Sequence, residues 1–497
     1  MSGTEDGDRT EAAHDLNADA TVVVLGDAML DVWNWGSCER LCREAPVPVV
    51  DVERSRSMAG GAGNTAANFA ALGADTRLVA LTGDDAAAGA LTDVLVRGGV
   101  DASRIHRAPD RTTPVKTRIV AGEQILMRFD ESSSGPARAG EVAELLVRLD
   151  DALTRADALV VCDYGGPLGD SLRDSLVERR EELPLLIVDT HHPGRWRELR
   201  PDLVTPNAGE AAEVLGVAAT TGANPDQRAE LFDRHREALF TAVGTRTVVV
   251  TLDRDGSVLL DGDRPAHRTW AHPVRDSQSA GGGDTFVAAL TLAVLAGMPL
   301  TGAVEVAQAA ADVVVHRPGT SVCTLDQLRT HIDRSGGAVL EPGQLIETVR
   351  GHRSAGRRIV FTNGCFDVVH AGHIAYLNEA KRLGDVLVVA VNSDDSVRRL
   401  KGPDRPVNPQ HDRCAVLAAL SCVDHVTVFD DDTPAELLRA TEPDLYVKGG
   451  DYRPEMLPEA PIVAGYGGEV RVLGYLADHS TSAMIERIRA RSATGGA

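Results

Sequence analysis

The chain has 497 residues, 43% of them hydrophobic, too long for one ordinary core and apolar enough to bury two or three. A formal charge of -22 without any run of Lys and Arg argues against a nucleic-acid binder, which needs a concentrated basic surface. Seven cysteines without a CxxC pair suggest neither a disulfide framework nor a zinc site. With no apolar h-region near the start and no apolar stretch of the ~20 residues a membrane helix needs, a cytoplasmic protein that does not enter the membrane is expected.

In chain order, residues 1–20 are acidic and polar and read as a disordered tail. Thr21–Gly26 is a β-branched run ending in glycine, as a buried strand followed by a functional turn is. Strand-like runs at Ala158–Cys162, Leu185–Val188 and Thr247–Leu252 then alternate with helical patterns such as Thr65–Leu72 and Thr285–Ala296, which predicts a mostly parallel α/β sheet. Pro46–Val52 and Thr113–Val120 fall outside the alternation and are expected to form a flap or lid. This first domain is assigned 21–333. Arg334–Gly337 has turn-forming composition, and a linker with a connecting helix (Pro342–Arg353) is assigned 334–356. A second alternation over 357–497 predicts a smaller doubly wound domain: strand Arg358–Phe361, helix Ile374–Leu383, strand Val386–Val391, helix Asp412–Leu420, strand His425–Phe429.

Chemistry-bearing motifs sit at the turns of both halves. In the first, Ala280-Gly281-Gly282-Gly283-Asp284-Thr285 leads into an apolar helix, so backbone amides at a helix start can hold a transferring phosphoryl group. Asp284 is then either a helix cap or a base that takes a proton from an attacking hydroxyl. Asn207 after Pro206 reads equally as a turn residue, and Glu210 as a first-turn acid. In the second half, Thr362-Asn363-Gly364-Cys365-Phe366-Asp367-Val368-Val369-His370-Ala371-Gly372-His373 lies between a strand and a helix, where ligands bind in open α/β folds. Two histidines flanking Ala-Gly at a helix start can both face one anion, and no third ligand is spaced to make them a metal site. Lys448 adjoins Gly449-Gly450, and Ser480-Thr481-Ser482 precedes an apolar-periodic segment, where its hydroxyls either cap a helix or hold phosphate. Cys365 and Asp367 are open between structural and functional roles, with the structural one favoured for Cys365.

Taken together, TNGCFDVVHAGH, VKGGDY and STSAMIERI resemble the cytidylyltransferase-like nucleotidyltransferases, specifically the adenylyltransferase half of the bifunctional heptose enzymes, over about 357–489. The resemblance implies in-line attack of a sugar 1-phosphate on the α-phosphorus of ATP. His370 and His373 would stabilise the α-phosphate, Thr481 and Ser482 hold the departing phosphates, Thr362 borders the nucleotide, and Lys401, Lys448 and Arg413 supply positive charge. In the first half, GDAMLD (26–31), GGAGN (60–64), TPNAGE (205–210), TLDRDG (251–256) and AGGGDTF (280–286) resemble the ribokinase-like sugar kinases, and EAPVPVV (44–50) narrows this toward heptose 7-phosphate kinases.

That second resemblance implies a ribokinase-like three-layer domain with a small β lid. Asp284 would be the base, with Gly281, Gly282 and Gly283 around the phosphoryl group. Asp31, Gly60, Gly61 and Asn64 would hold sugar hydroxyls, and Lys116, with Arg128, the sugar phosphate. Asn207 and Glu210 would organise Mg2+ and ATP, Glu210 indirectly, with Thr251 and Gly256 beside the nucleotide. Whether a monovalent cation participates is left open, and a homodimer pairing through the lid strands is expected. Two departures stand out: Asp189-Thr190-His191-His192-Pro193 replaces the usual Asp-Pro-Lys-Gly, and Asp276–Ala280 is longer than usual, with Ala280 where threonine is typical. The function implied is phosphorylation of a heptose 7-phosphate at C1 and adenylyl transfer to heptose 1-phosphate. The same two reactions on another sugar phosphate or nucleotide, or a nucleotidyltransferase beside a weak or sensory kinase-like domain, are the alternatives.

Overall fold

The computed structural model describes residues 16, 19–122, 124–131, 135–217, 225–271, 279–315, 317, 319–335, 339–369, 371–449 and 457–473. It divides into two compact units that part between Arg329 and Thr330.

The first unit is built on a nine-stranded sheet. Thr21–Gly26, every residue but the first buried, lies between the parallel strands Asp75–Gly83 and Ala158–Asp163. Leu185–Thr190, Leu203–Val204 and Thr247–Thr251 extend the sheet in parallel on one side, and Ile105–Ala108 closes the other edge. The hairpin strands Ser257–Asp261 and His267–Thr269 add an antiparallel margin. Val and Leu on both faces of the parallel strands are the reason: such a sheet must be covered by helices on both sides, and its strands read as continuous apolar runs. Because the chain proceeds in opposite directions from Thr21–Gly26, a crevice opens between the carboxyl ends of Thr21–Gly26 and Ala158–Asp163, the place where α/β sheets bind ligands. Gly26 is there because the strands touch: a Cβ would lie 2.4 Å from the Cys162 carbonyl oxygen.

The lid is larger than the sequence suggests. Ala28–Leu41 pairs antiparallel with Pro48–Gly61 and parallel with Val115–Ala121, which in turn pairs with Gln124–Glu131. Ala28–Leu41 escapes a pattern reading because Asn34, Gly36, Ser37 and Glu39 interrupt its apolar alternation. Its register sets Asp31 directly opposite Lys116.

In the second unit six strands are all parallel, ordered Val339–Leu340, His425–Phe429, Val386–Asn392, Ile359–Gly364, Leu445–Gly449, Glu469–Leu473. Helix Pro342–Ser354, read from sequence as part of a linker, inserts Leu345 and Val349 fully into the core with Ile359, Phe361 and Val388. Residues 339–354 therefore fold as an integral piece of this unit: an amphipathic helix next to a sheet gains more by burying its apolar stripe than by spanning solvent. Among the described residues no helix is long and apolar enough to cross a membrane.

Candidate active sites

The first site is a cleft of about 280 Å³ where the lid faces the carboxyl edge of the large sheet. Helix Gly282–Leu295 points its start into it. Gly281, the N-cap, has φ +92°, and a Cβ there would lie 2.4 Å from Asn64 Nδ2, so only glycine allows this approach. The first-turn amides of the helix have no intrahelical acceptor and face the cleft with a partial positive charge. One turn in, Asp284 Oδ2 accepts from Asn64 Nδ2 at 2.6 Å and Oδ1 from Thr65 Oγ1 at 3.1 Å, with the Tyr164 hydroxyl 3.2 Å away. Burial raises its pKa above the ordinary carboxylate value, although these hydrogen bonds pull the other way. Asn64, expected on sugar hydroxyls, gives its Nδ2 donor to the Asp284 carboxyl.

Asp31 lies in the same cleft, paired with Arg118 at 3.1 Å and accepting from Thr320 Oγ1 at 2.8 Å. Gly60 gives it room, since a Cβ there would fall 2.9 Å from Asp31 Cγ, while Gly61 turns the chain at φ +56°. Lys116 lines the cleft, but Arg128 is turned to Asp130 on its own strand. Arg118, which sequence reasoning passed over, sits two residues from Lys116 on the same strand face, a signal that period-two reading supplies.

Asn207 and Glu210 form a reciprocal capping box: Asn207 Oδ1 accepts from the Glu210 amide at 3.0 Å, and Glu210 Oε2 from the Asn207 amide at 2.8 Å. The two readings of these residues coexist, because the same pair lines the cleft, where Glu210 Oε1 meets His191 Nδ1 at 2.7 Å. Thr251 also lines it, bridged to Asn207. Gly256 does not line it, and its φ of +97° serves a backbone crossing, as a Cβ would lie 2.1 Å from the Thr269 carbonyl. The departing segment thus gives Asp189 and His191 to the cleft: burial pushes Asp189 up to about 7, and the hydrogen bond to Glu210 raises His191. Ala280 lines the cleft, while Asp276, Ser277 and Gln278 lie outside the described residues.

The second site is a cleft of about 480 Å³ at the carboxyl ends of Ile359–Gly364 and Leu445–Gly449, where the strand order of that sheet reverses. Asn363, Gly364, Cys365, His373, Lys401, Lys448 and Glu459 are among its walls. Phe366 holds a left-handed φ of 45°, an unusual conformation for a bulky residue, and its ring packs 5.5 Å from that of His373. Lys448 Nζ donates to the Asn363 carbonyl at 3.4 Å, and burial lowers its pKa. Asp367, which also lines the cleft, is buried and accepts from Arg405 and, at 2.6 Å, from the Val407 amide, tying down that loop.

Two expectations are corrected here. Arg413 does not face the cleft. It is fully buried, and its guanidinium donates to the carbonyls of Cys365 and Asn408 and pairs with Asp394 at 2.8 Å. Thr362 is likewise buried, its hydroxyl shared with Tyr376, whose own hydroxyl donates to the Val447 carbonyl at 3.0 Å. Both stand behind the wall and brace it. His370, Thr481 and Ser482 lie outside the described residues.

A glycine-rich helix start beneath a β lid, in one chain with a strand-to-helix HxGH turn, defines a sugar kinase joined to a nucleotidyltransferase. Residues 19–327 match the pfkB family carbohydrate kinases, and 361–466 match the cytidylyltransferase-like family. Phosphofructokinase-2 of Escherichia coli, solved with potassium, is 20% identical with a TM-score of 0.51, over 63% of this chain and 97% of that one, and shows the fold of the first unit. The bifunctional protein HldE of Ectopseudomonas mendocina is 40% identical over 477 residues, 95% of this chain and 98% of that protein. HldE of Hahella chejuensis is 40% identical over 94% of this chain and 96% of its own length. This chain belongs to the HldE family and is a bifunctional carbohydrate kinase and nucleotidyltransferase.

Proposed function

We propose that the first unit phosphorylates a heptose 7-phosphate at C1 and that the second joins heptose 1-phosphate to ATP, giving ADP-heptose and pyrophosphate. The observation that carries the kinase reading is the Asp284 carboxyl, held by Asn64 and Thr65 at the open start of helix Gly282–Leu295 in one cleft with Asp31 and Lys116. Asp284 removes the C1 hydroxyl proton as the oxygen attacks the γ-phosphorus, and the first-turn amides, with the glycines that give them access, receive the charge that develops. Asp31 and Gly61 line the sugar end, and Lys116 with Arg118 supplies cations for the 7-phosphate.

Among the described residues no cluster of three His, Cys, Asp or Glu side chains forms a metal cage. Mg2+ arriving with ATP keeps several waters and takes few protein ligands, a role open to the Glu210 carboxylate in the cleft. Glu210, acting through water, is the residue that would hold it. The ion supplies charge neutralisation on the phosphates when bound.

In the second unit His373 and Lys448, with His370, Thr481 and Ser482 by family resemblance, neutralise the phosphates of ATP during in-line attack, without a covalent intermediate. A homodimer in the cytoplasm completes the reading. Apolar side chains exposed on the lid strands, Leu41 and Met127 among them, support the pairing, which sedimentation tests.

Phosphorus NMR of the purified chain tests the function directly. With ATP, Mg2+ and heptose 7-phosphate, a heptose 1,7-bisphosphate signal is expected, and with heptose 1-phosphate, ADP-heptose and pyrophosphate. Turnover of another sugar phosphate in preference to these would overturn the substrate assignment.

A further inference from the structure

Beneath the lid, three oxygen acids of the first unit lie in a row. The Tyr164 hydroxyl is 2.6 Å from Asp189 Oδ2 and 3.2 Å from Asp284 Oδ1. A phenol has one proton to give, so it can donate to only one of two carboxylates. The shorter contact is the one to Asp189. The longer becomes a hydrogen bond in its own right once Asp284 carries a proton and donates it to the phenol oxygen, and that is the state the base reaches at the end of phosphoryl transfer.

We propose that Asp284, Tyr164 and Asp189 form a relay that removes from the base the proton it takes from the sugar hydroxyl. The inference rests on Asp284 being that base. As the sugar O–H bond breaks, its proton passes to Asp284 while the oxygen bonds the γ-phosphorus and ADP leaves. Asp284 then donates to the Tyr164 oxygen as the phenolic proton moves to Asp189, which opens on the cleft. One proton crosses from Asp284 to Asp189, the phenol is regenerated, and nothing is oxidised or reduced.

Burial raises both carboxyls, and the Asn64 and Thr65 donors favour the return of Asp284 to its ionised form. Asp189 is pushed up to about 7 by burial, with the negative charges of Asp284 and Glu210 adding to it, so it accepts a proton readily near neutrality. The Asp189 carboxyl is steadied by Thr205 Oγ1 at 3.1 Å, and Asp284 by Asn64 and Thr65. Asp31 adds a further negative charge toward Asp284. Behind the phenol lies the buried Cys162, whose thiol is held protonated by that burial, and His191 packs its ring 5.1 Å from the Tyr164 ring with Lys116 beyond. The phenol is itself raised well above its ordinary value, so it conducts a proton without becoming a phenolate.

Tyr164 and Asp189 act through Asp284 and are positioning residues. The test is single-turnover phosphorylation of heptose 7-phosphate by the full chain in mixtures of H2O and D2O. Tyr164→Phe, which keeps the ring, should slow the step by at least about tenfold, toward the ~10²–10⁴ that positioned proton transfer contributes. KM should be unchanged, and the curved proton inventory of the parent should become linear. In Asp189→Asn the same loss is expected, and the acid limb of the rate profile, to which the raised Asp189 carboxyl contributes in the parent, should move to lower pH. Adenylyl transfer by the same molecules should be untouched. Parental rates in both variants, or a loss with limb and inventory unmoved, would overturn the relay. Failure of the underlying reading is seen separately, as parental turnover in Asp284→Asn.

Discussion

Replacing Arg413 by methionine separates a brace from a phosphate ligand. The guanidinium holds two carbonyls, those of Cys365 and Asn408, and the Asp394 carboxylate, and its own side chain is only 1% exposed. Removing one partner of a buried pair costs about 3–5 kcal/mol, because the group left behind is neither paired nor hydrated. Asp394 is 24% exposed and can recover some water, which sets the expectation at the lower end, about 3 kcal/mol. For a unit of this size each kcal/mol moves the midpoint by about 2–4 °C, so a fall of about 6–12 °C is expected. Thermal inactivation of adenylyl transfer reads it, with the kinase reaction of the same sample as the control. Transfer at low temperature should persist, since no atom of Arg413 lines the cleft. A variant that melts within about 1 °C of the parent yet no longer binds ATP would refute the reasoning and return Arg413 to the phosphates.

Three further outcomes follow from the same geometry. Lys448 is cationic only below a pKa that burial has lowered from 10.5, so adenylyl transfer should fall as pH rises through that lowered value, and Lys448→Arg should move the alkaline limb upward. Gly281→Ala puts a methyl 2.4 Å from Asn64 Nδ2 at a φ that disfavours any Cβ, and should cut kinase turnover by at least about tenfold through the displaced Asp284 while sparing adenylyl transfer, both read in coupled assays. Arg118→Ala removes the partner of Asp31, and should raise KM for the sugar phosphate more than it lowers kcat, as steady-state kinetics would show.

The glycine turn ahead of Asp284 and the strand-to-helix turn ahead of His373 were legible in the sequence because each is local: a few consecutive residues carry both the backbone freedom and the chemistry. What the sequence did not disclose is how distant residues share a partner. Asn64 and Asp284 are 220 positions apart, and nothing in either segment says that the amide spends its donor on the carboxylate. Arg413 misleads for the opposite reason, since a cation on a helix beside a phosphate site looks like a ligand until its burial is known. The strand Ala28–Leu41 was lost, and Gln124–Glu131 was suspected only through Arg128, because a two-sided lid has no clean alternation, the second strand being exposed along its whole length. Tyr164 carried one readable signal, its place just past the carboxyl end of a parallel strand, where such folds gather their ligands.

The way residues 339–354 are woven into the second unit bears on how its gene segment can be cut. A fragment that begins at Arg357, where the strand-and-turn pattern starts, would lack the edge strand Val339–Leu340 and would leave open the slot that Leu345 and Val349 fill. Two aliphatic side chains of this kind each contribute about 2 kcal/mol on burial, enough to turn a stable fragment into an aggregating one. Excision should begin before Val339, and any natural fission of the chain into separate enzymes would have to respect the same joint.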